Sequence, residues 1–149
     1  HFDHITGVSE LVSLVGGKVY AYEGEKELMM DPRQNGSVMM GYELAIEPEN
    51  LLRDGEILSV AGMAFKVIHT PGHTVGGACF YVKSEGILFS GDTLFCESVG
   101  RTDFPKGSMS QLVRSIHEKL MPLPDSTKVL PGHGEWTTIG KERQYNPFL

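Results

Sequence analysis

Residues 56–92, EILSVAGMAFKVIHTPGHTVGGACFYVKSEGILFSGD, decide how the chain is to be read. The runs EILSV, AFKVIH, ACFYV and GILFSGD are short and β-rich, and Gly-containing turns such as Ala61-Gly62 and Glu85-Gly86 part them, which predicts four strands of one sheet. Two of these runs end beside residues that chemistry explains more readily than packing does: His73 in TPGHT and Asp92 in FSGDT. A rigid sheet presents such strand-end side chains into a cleft, and the adjoining glycines let the backbone approach closely.

C-terminal to this stretch, Ser108 with Gln111 makes a capping start for a helix whose apolar positions Met109, Leu112, Val113, Ile116 and Leu120 recur at three and four, with Pro122 and Pro124 ending it. A strand TKVLP leads into PGHGE and His133, and a last helix is expected from about Thr138 to Gln144, before Asn146-Pro147. Towards the N-terminus, a helix from Val8 to Leu14 is stopped by Gly16-Gly17. A strand KVYAY at 18–22, a short helix from Glu25 to Met30 and an ordered loop from Pro32 to Gly41 follow. The pairs Met29-Met30 and Met39-Met40 read as fillers of core gaps rather than the lining of a substrate groove.

At 149 residues, with 40% hydrophobic and 21% charged residues, the chain is expected to be one globular domain, 1–149. Thirteen Lys and Arg against 19 Asp and Glu leave a formal charge of -6, with no basic patch for a nucleic acid. No apolar run approaches the ~20 residues of a spanning helix, and HFDHITG has neither region of a signal peptide, so no membrane role is expected. Cys79 and Cys96 are too few for a disulfide scaffold and too far apart for a CxxC pair; they read as reduced core thiols in a cytoplasmic protein.

Of six histidines, His1 and His4 in HFDH, His73 and His133 stand out, the last two sharing the form Pro-Gly-His after a strand. With Asp3 and Asp92 they make an inventory of nitrogen and oxygen donors suited to zinc, iron or manganese without any thiolate. Two metals fit it better than one, because a carboxylate such as Asp92 can bridge a pair about 3.5–4 Å apart that holds a hydroxide for hydrolysis. Taken singly, Asp3 is also a helix cap or dipole partner, Asp92 an Asx-turn former, and His73 and His133 turn residues. His69 reads as a core-edge or surface residue, or a hydrogen-bond partner of a ligand, and His117 as solvated. Arg101 either binds a substrate carboxylate or pairs with Asp103. No G-x-S-x-G, P-loop or G-x-G-x-x-G occurs.

HFDHITG, HTPGHT, FSGDTLF, GRTDF, LPGHG, TTIG and the terminal NPFL together resemble the metallo-β-lactamase-fold hydrolases, and within them the compact glyoxalase II (hydroxyacylglutathione hydrolase) type. The resemblance implies an α/β fold, a four-layer αβ/βα sandwich, and a binuclear centre with two divalent ions, zinc before iron or manganese. It implies hydrolysis of a small-molecule thioester such as S-lactoylglutathione through a metal-bound hydroxide. His1 and His73 would serve the first metal, Asp3, His4 and His133 the second, and Asp92 would bridge. Asp3 and Asp92 would be the catalytic carboxylates, and Arg101 matches a cationic substrate-binding position.

The family motif is His-x-His-x-Asp-His, and the chain starts at its second histidine with no initiator Met. It is therefore expected to be a fragment without its N-terminal strands and first ligand, with an exposed sheet edge inviting association; the oligomeric state stays open. In larger members a C-terminal helical domain binds glutathione, and Asp103 falls where those enzymes place a tyrosine. The alternatives are a mononuclear iron persulfide dioxygenase, against which His133 counts as a second-metal ligand, and a non-catalytic metal-stabilised module. A nuclease is disfavoured by the charge.

Overall fold

A computed structural model describes residues 1–149. The expected single domain divides into two compact units, 1–52 and 53–149.

In the first unit, α1 (Phe2–Ile5) is followed by α2 (Val8–Val15), which stops where Gly16 adopts a left-handed φ of 66°, the helix end that Gly16-Gly17 predicts. The KVYAY run narrows to β1 (Tyr20–Tyr22). Next come a 3₁₀ turn at Glu23–Glu25, α3 (Lys26–Met30) and β2 (Asn50–Leu52), which lies parallel to β1 with Tyr20 opposite Asn50. The loop between them is ordered by Asn35, which is fully buried: its amide donates to Leu44 O at 2.7 Å and its side-chain oxygen accepts from Ser37 N at 2.9 Å. Its carbonyl accepts from Phe2 N at 2.9 Å, tying down the start of α1. Met30 and the pair Met39-Met40 are exposed and do not fill core gaps as expected. Met39 and Met40 sit on a 3₁₀ turn, Ser37–Met40, and are 83% and 60% exposed, because the inward positions of that turn go to the polar Asn35 network.

The second unit is built on β3 (Ile57–Val60), β4 (Met63–His69), β5 (Ala78–Val82) and β6 (Ile87–Gly91), an antiparallel meander matching the four predicted runs. A small hairpin, β7 (Leu94–Phe95) with β8 (Ser98–Val99), precedes α4 (Met109–Ser115). The chain returns through β9 (Lys128–Pro131), parallel to β6, and ends in β10 (Thr137–Thr138) and α5 (Ile139–Tyr145). The six-stranded order is β10-β9-β6-β5-β4-β3.

Ser108 caps its helix as the sequence indicates, its Oγ accepting from Gln111 N, and Thr138, where the last helix was expected to begin, also proves to be a cap, its Oγ1 accepting from Lys141 N. The single helix expected through Leu120 is instead α4 followed by a π-helical turn, Ile116–Leu120, in which Met121 N donates to Ile116 O. Ile116 and Leu120 are both fully buried there, with Leu112, Leu88, Val129 and Cys79. Burying each such aliphatic side chain contributes about 1.5–3 kcal/mol.

β4, β6 and β9 run in the same direction, since β5 is antiparallel to both β4 and β6 while β9 is parallel to β6. Their C-terminal ends therefore lie at one end of the sheet. The segments leaving those ends carry His73, Asp92 and His133.

Candidate metal centre

The loop after β4 is fastened on several sides. Gly72 has φ 142°, and an added Cβ would lie 2.4 Å from Leu112, so the glycine is what lets α4 dock on this turn. Gly72 O accepts from Ser108 N at 2.8 Å, and Pro71 O accepts from Ser115 Oγ at 2.8 Å. His69 closes the loop at its base, its Nε2 lying 2.9 Å from Val75 O. That places His69 as a partner of the loop rather than a ligand. His117 is exposed, as expected.

The loop after β6 is aimed by an irregularity. The β6–β9 register shifts between Phe89 and Gly91, and Gly91 O accepts from Gly132 N at 2.9 Å, just before Asp92 and His133 respectively. Beneath, Thr70 Oγ1 and Thr93 Oγ1 are 2.9 Å apart and Thr70 Oγ1 is 3.3 Å from Cys79 Sγ, all buried, so the His73 and Asp92 loops share one hydrogen-bonded floor. Burial pushes the Cys79 thiol up from its ordinary value, keeping it a neutral core group.

His73, Asp92 and His133 come together. His73 Nε2 stands 3.3 Å from Asp92 Oδ2, and His133 Nε2 stands 3.6 Å from Asp92 Oδ1. Each carboxylate oxygen thus faces one imidazole nitrogen. Both separations exceed the ~2.7–2.9 Å of a charge-assisted hydrogen bond. They suit two donors of one tetrahedral ion, because bonds of about 2.0–2.2 Å at the tetrahedral angle put neighbouring donors roughly 3.3–3.6 Å apart. The donor set therefore fits a divalent metal. The orientation of His73 fits too: its Nδ1–H donates to Arg101 O at 2.6 Å, which leaves Nε2 for a metal. His73 and Asp92 side chains are 10% and 14% exposed, whereas His133 is 55% exposed and stands edge-on to Phe95 with ring centres 6.2 Å apart.

In the first unit, His1 occupies the cap position of α1, with Asp3 and His4 inside the helix and His4 Nε2 3.8 Å from Asp3 Oδ2. Asp3 is thus a first-turn residue and not a cap. Arg101 is paired: its Nε and Nη2 each donate at 2.6 Å to the two carboxylate oxygens of Asp103, and its guanidinium lies 4.4 Å over the Phe104 ring. The hydrogen bond from Arg101 holds the Asp103 carboxyl at about 2. Cys79 and Cys96 are free thiols; Cys79 is fully buried and Cys96 only partly.

Three contributors escaped the sequence reading. Gly100 abuts both the Asp92 backbone and His73, Phe95 flanks His133, and Glu142 is fully buried. Glu142 accepts from Glu97 N, Asn146 Nδ2 and Thr137 Oγ1, holding the β7–β8 hairpin that bears Phe95. The one available signal was the left-handed turn in that hairpin, and Glu97, at φ 55°, is not a residue type that announces it.

The family model described as "Metallo-beta-lactamase superfamily" matches residues 1–133. The chain belongs to the metallo-β-lactamase superfamily. Its fold is the mixed α/β metallo-β-lactamase fold, whose members bind divalent metals and are generally hydrolases. Among curated relatives, hydroxyacylglutathione hydrolase GloC of Haemophilus influenzae is 36% identical over 152 residues, covering 100% of this chain and 72% of its own. The BLEG-1 B3 metallo-beta-lactamase structure is 40% identical with a TM-score of 0.93, over 99% of this chain and 72% of that one. The di-iron-bound form of TTHA1623 is 36% identical with a TM-score of 0.83, over 100% and 73%. No helix of this superfamily member is long and apolar enough to cross a membrane.

Proposed function

We propose that the protein hydrolyses glutathione thioesters such as S-lactoylglutathione to a hydroxy acid and glutathione. It does so as a binuclear, zinc-first metalloenzyme of the cytoplasm, a setting with which its two free thiols agree. The ligands in this reading are the residues at which this sequence matches the family pattern, His1, Asp3, His4, His73, Asp92 and His133. The observation that carries it is the Asp92 carboxylate, each of whose oxygens faces one imidazole Nε2 at metal-donor spacing. The likeness to GloC supports the thioester as substrate.

Divalent ions bound there supply Lewis-acid polarisation of a carbonyl and bring the pKa of water towards ~7. The chain's own part is orientation. Arg101 O fixes the His73 tautomer, and the Thr70–Thr93 floor keeps the two ligand loops in place. Water adds to the thioester carbonyl, the C–S bond breaks, and the proton released by the water ends on the departing sulfur. Phe104 stands edge-on to the His73 ring with centres 5.9 Å apart and shields one side of it.

The test pairs metal content with turnover on the metal-loaded protein. About two ions per chain and loss of S-lactoylglutathione are expected, and Asp92→Ala should lose both together. Turnover retained in Asp92→Ala would sink the bridging role. Hydrolysis of a β-lactam but not the thioester would move the protein towards the activity in the BLEG-1 name. Oxygen consumption with glutathione persulfide, or metal that stabilises without any turnover, would likewise replace the thioester reading.

A further inference from the structure

We propose that Asp103 sets the charge selectivity of the site, occupying the Arg101 guanidinium as an internal stand-in for a substrate carboxylate. This inference rests on the thioester reading above and adds its specificity residue.

Arg101 is rooted at the candidate metal centre, because its own carbonyl accepts from His73 Nδ1 at 2.6 Å. It is the only Lys or Arg between Lys83 and Lys106, so the segment that carries Asp92 and flanks His73 has no second cation. Its Nε and Nη2 meet the two oxygens of Asp103 at 2.6 Å each, the fork-on-fork geometry in which guanidinium takes any carboxylate. Phe104 lies beneath the guanidinium at 4.4 Å and fixes its plane, while the same ring stands edge-on to His73. The cation is thus preorganised for a planar anion beside the proposed reaction centre, and that place is already taken.

Arg101 and Asp103 side chains are 62% and 65% exposed, so an incoming carboxylate can reach and exchange with Asp103. The pair stands in water and is screened by salt, which makes displacement by a second carboxylate feasible. A thioester whose thiol part carries carboxylates, as glutathione does, must compete with Asp103 for Arg101. A neutral thioester faces no such competition. Asp103 therefore raises the KM for anionic substrates relative to neutral ones.

The variant is Asp103→Asn, which keeps size and an acceptor oxygen but removes the charge. Affinity for S-methylglutathione, a non-hydrolysable thioether, is measured by calorimetry on the metal-loaded protein and is expected to rise about fivefold to tenfold at low salt. The gain should shrink with added salt and vanish in Arg101→Ala/Asp103→Asn. The ratio of kcat/KM for S-lactoylglutathione to that for the uncharged S-lactoyl-N-acetylcysteamine should rise by a similar factor, through KM. Equal or weaker S-methylglutathione binding in Asp103→Asn, no binding by either protein, or a gain that survives without Arg101 overturns the proposal. Failure of the wild type to hydrolyse either thioester sinks the thioester reading separately, since the calorimetric comparison needs no turnover.

Discussion

Replacing Gly100 by alanine should disable the metal centre without altering any of its side chains. A Cβ at Gly100 would lie 1.8 Å from Asp92 O, 2.9 Å from Asp92 C and 3.4 Å from His73 Cβ. Real Cβ atoms essentially never come closer than 3.0 Å to such an atom, so one backbone segment must retreat by at least about 1.2 Å. Neither can do so alone. Gly100 N donates to Thr93 O at 3.3 Å, and the next residue's carbonyl is the acceptor for His73 Nδ1, so a shift reaches Asp92 or His73 whichever side yields. Overpacking of this sort costs about 1–3 kcal/mol. A ligand displaced by about 1 Å lowers turnover on the order of 100-fold. The assay is metal content by elemental mass spectrometry with urea unfolding, using Gly17→Ala as control, where the added methyl meets only Val15 Cγ2 at 3.6 Å. A Gly100→Ala protein with wild-type metal content and urea midpoint would refute the reasoning.

Glu142→Ala should destabilise the protein by about 3 kcal/mol or more, because it strips a fully buried carboxylate from the Glu97, Asn146 and Thr137 donors; a loss under about 1 kcal/mol by urea unfolding would count against that role. Asp54 supplies the pH test. Burial raises its carboxyl, but the hydrogen bonds from His69 N and Lys119 outweigh this and hold it below its ordinary value. A carboxyl lowered in the folded state stabilises above the unfolded pKa of about 3.9 and loses that contribution as pH falls through the folded value. Wild type should therefore exceed Asp54→Asn in urea midpoint at pH 6, with the gap closing below about pH 4; a gap unchanged to pH 2 would contradict the assignment.

The local elements were largely legible, because each is written in adjacent residues. Ser108 with Gln111, Thr138 with Lys141, and Gly16 are helix boundaries set by hydrogen bonds or backbone angles within a few positions. The β-rich runs parted by Gly-containing turns in residues 56–92 mark four strands for the same reason. Less legible were features set by distant partners. The π-helical turn at Ile116–Leu120 has the same apolar spacing as an α-helix, and Met39 and Met40 lose their inward places to the Asn35 network. Glu142, in the run KERQY, looks like a solvated helix face until the backbone N–H of the distant Glu97 joins the nearby Thr137 and Asn146 side chains as its donors.

The same division holds at the candidate site. Which donors exist, and that His73, Asp92 and His133 each follow a strand, could be read from the residues in order, since residue type and local periodicity are properties of the chain alone. That those strands run in one direction and end together is a matter of strand pairing, which is chosen by contacts far apart in sequence. The three-dimensional structure also distinguishes the two uses of Arg101. A guanidinium binds an internal and an external carboxylate with the same geometry, and only the observed position of Asp103 shows which one holds it in the free protein.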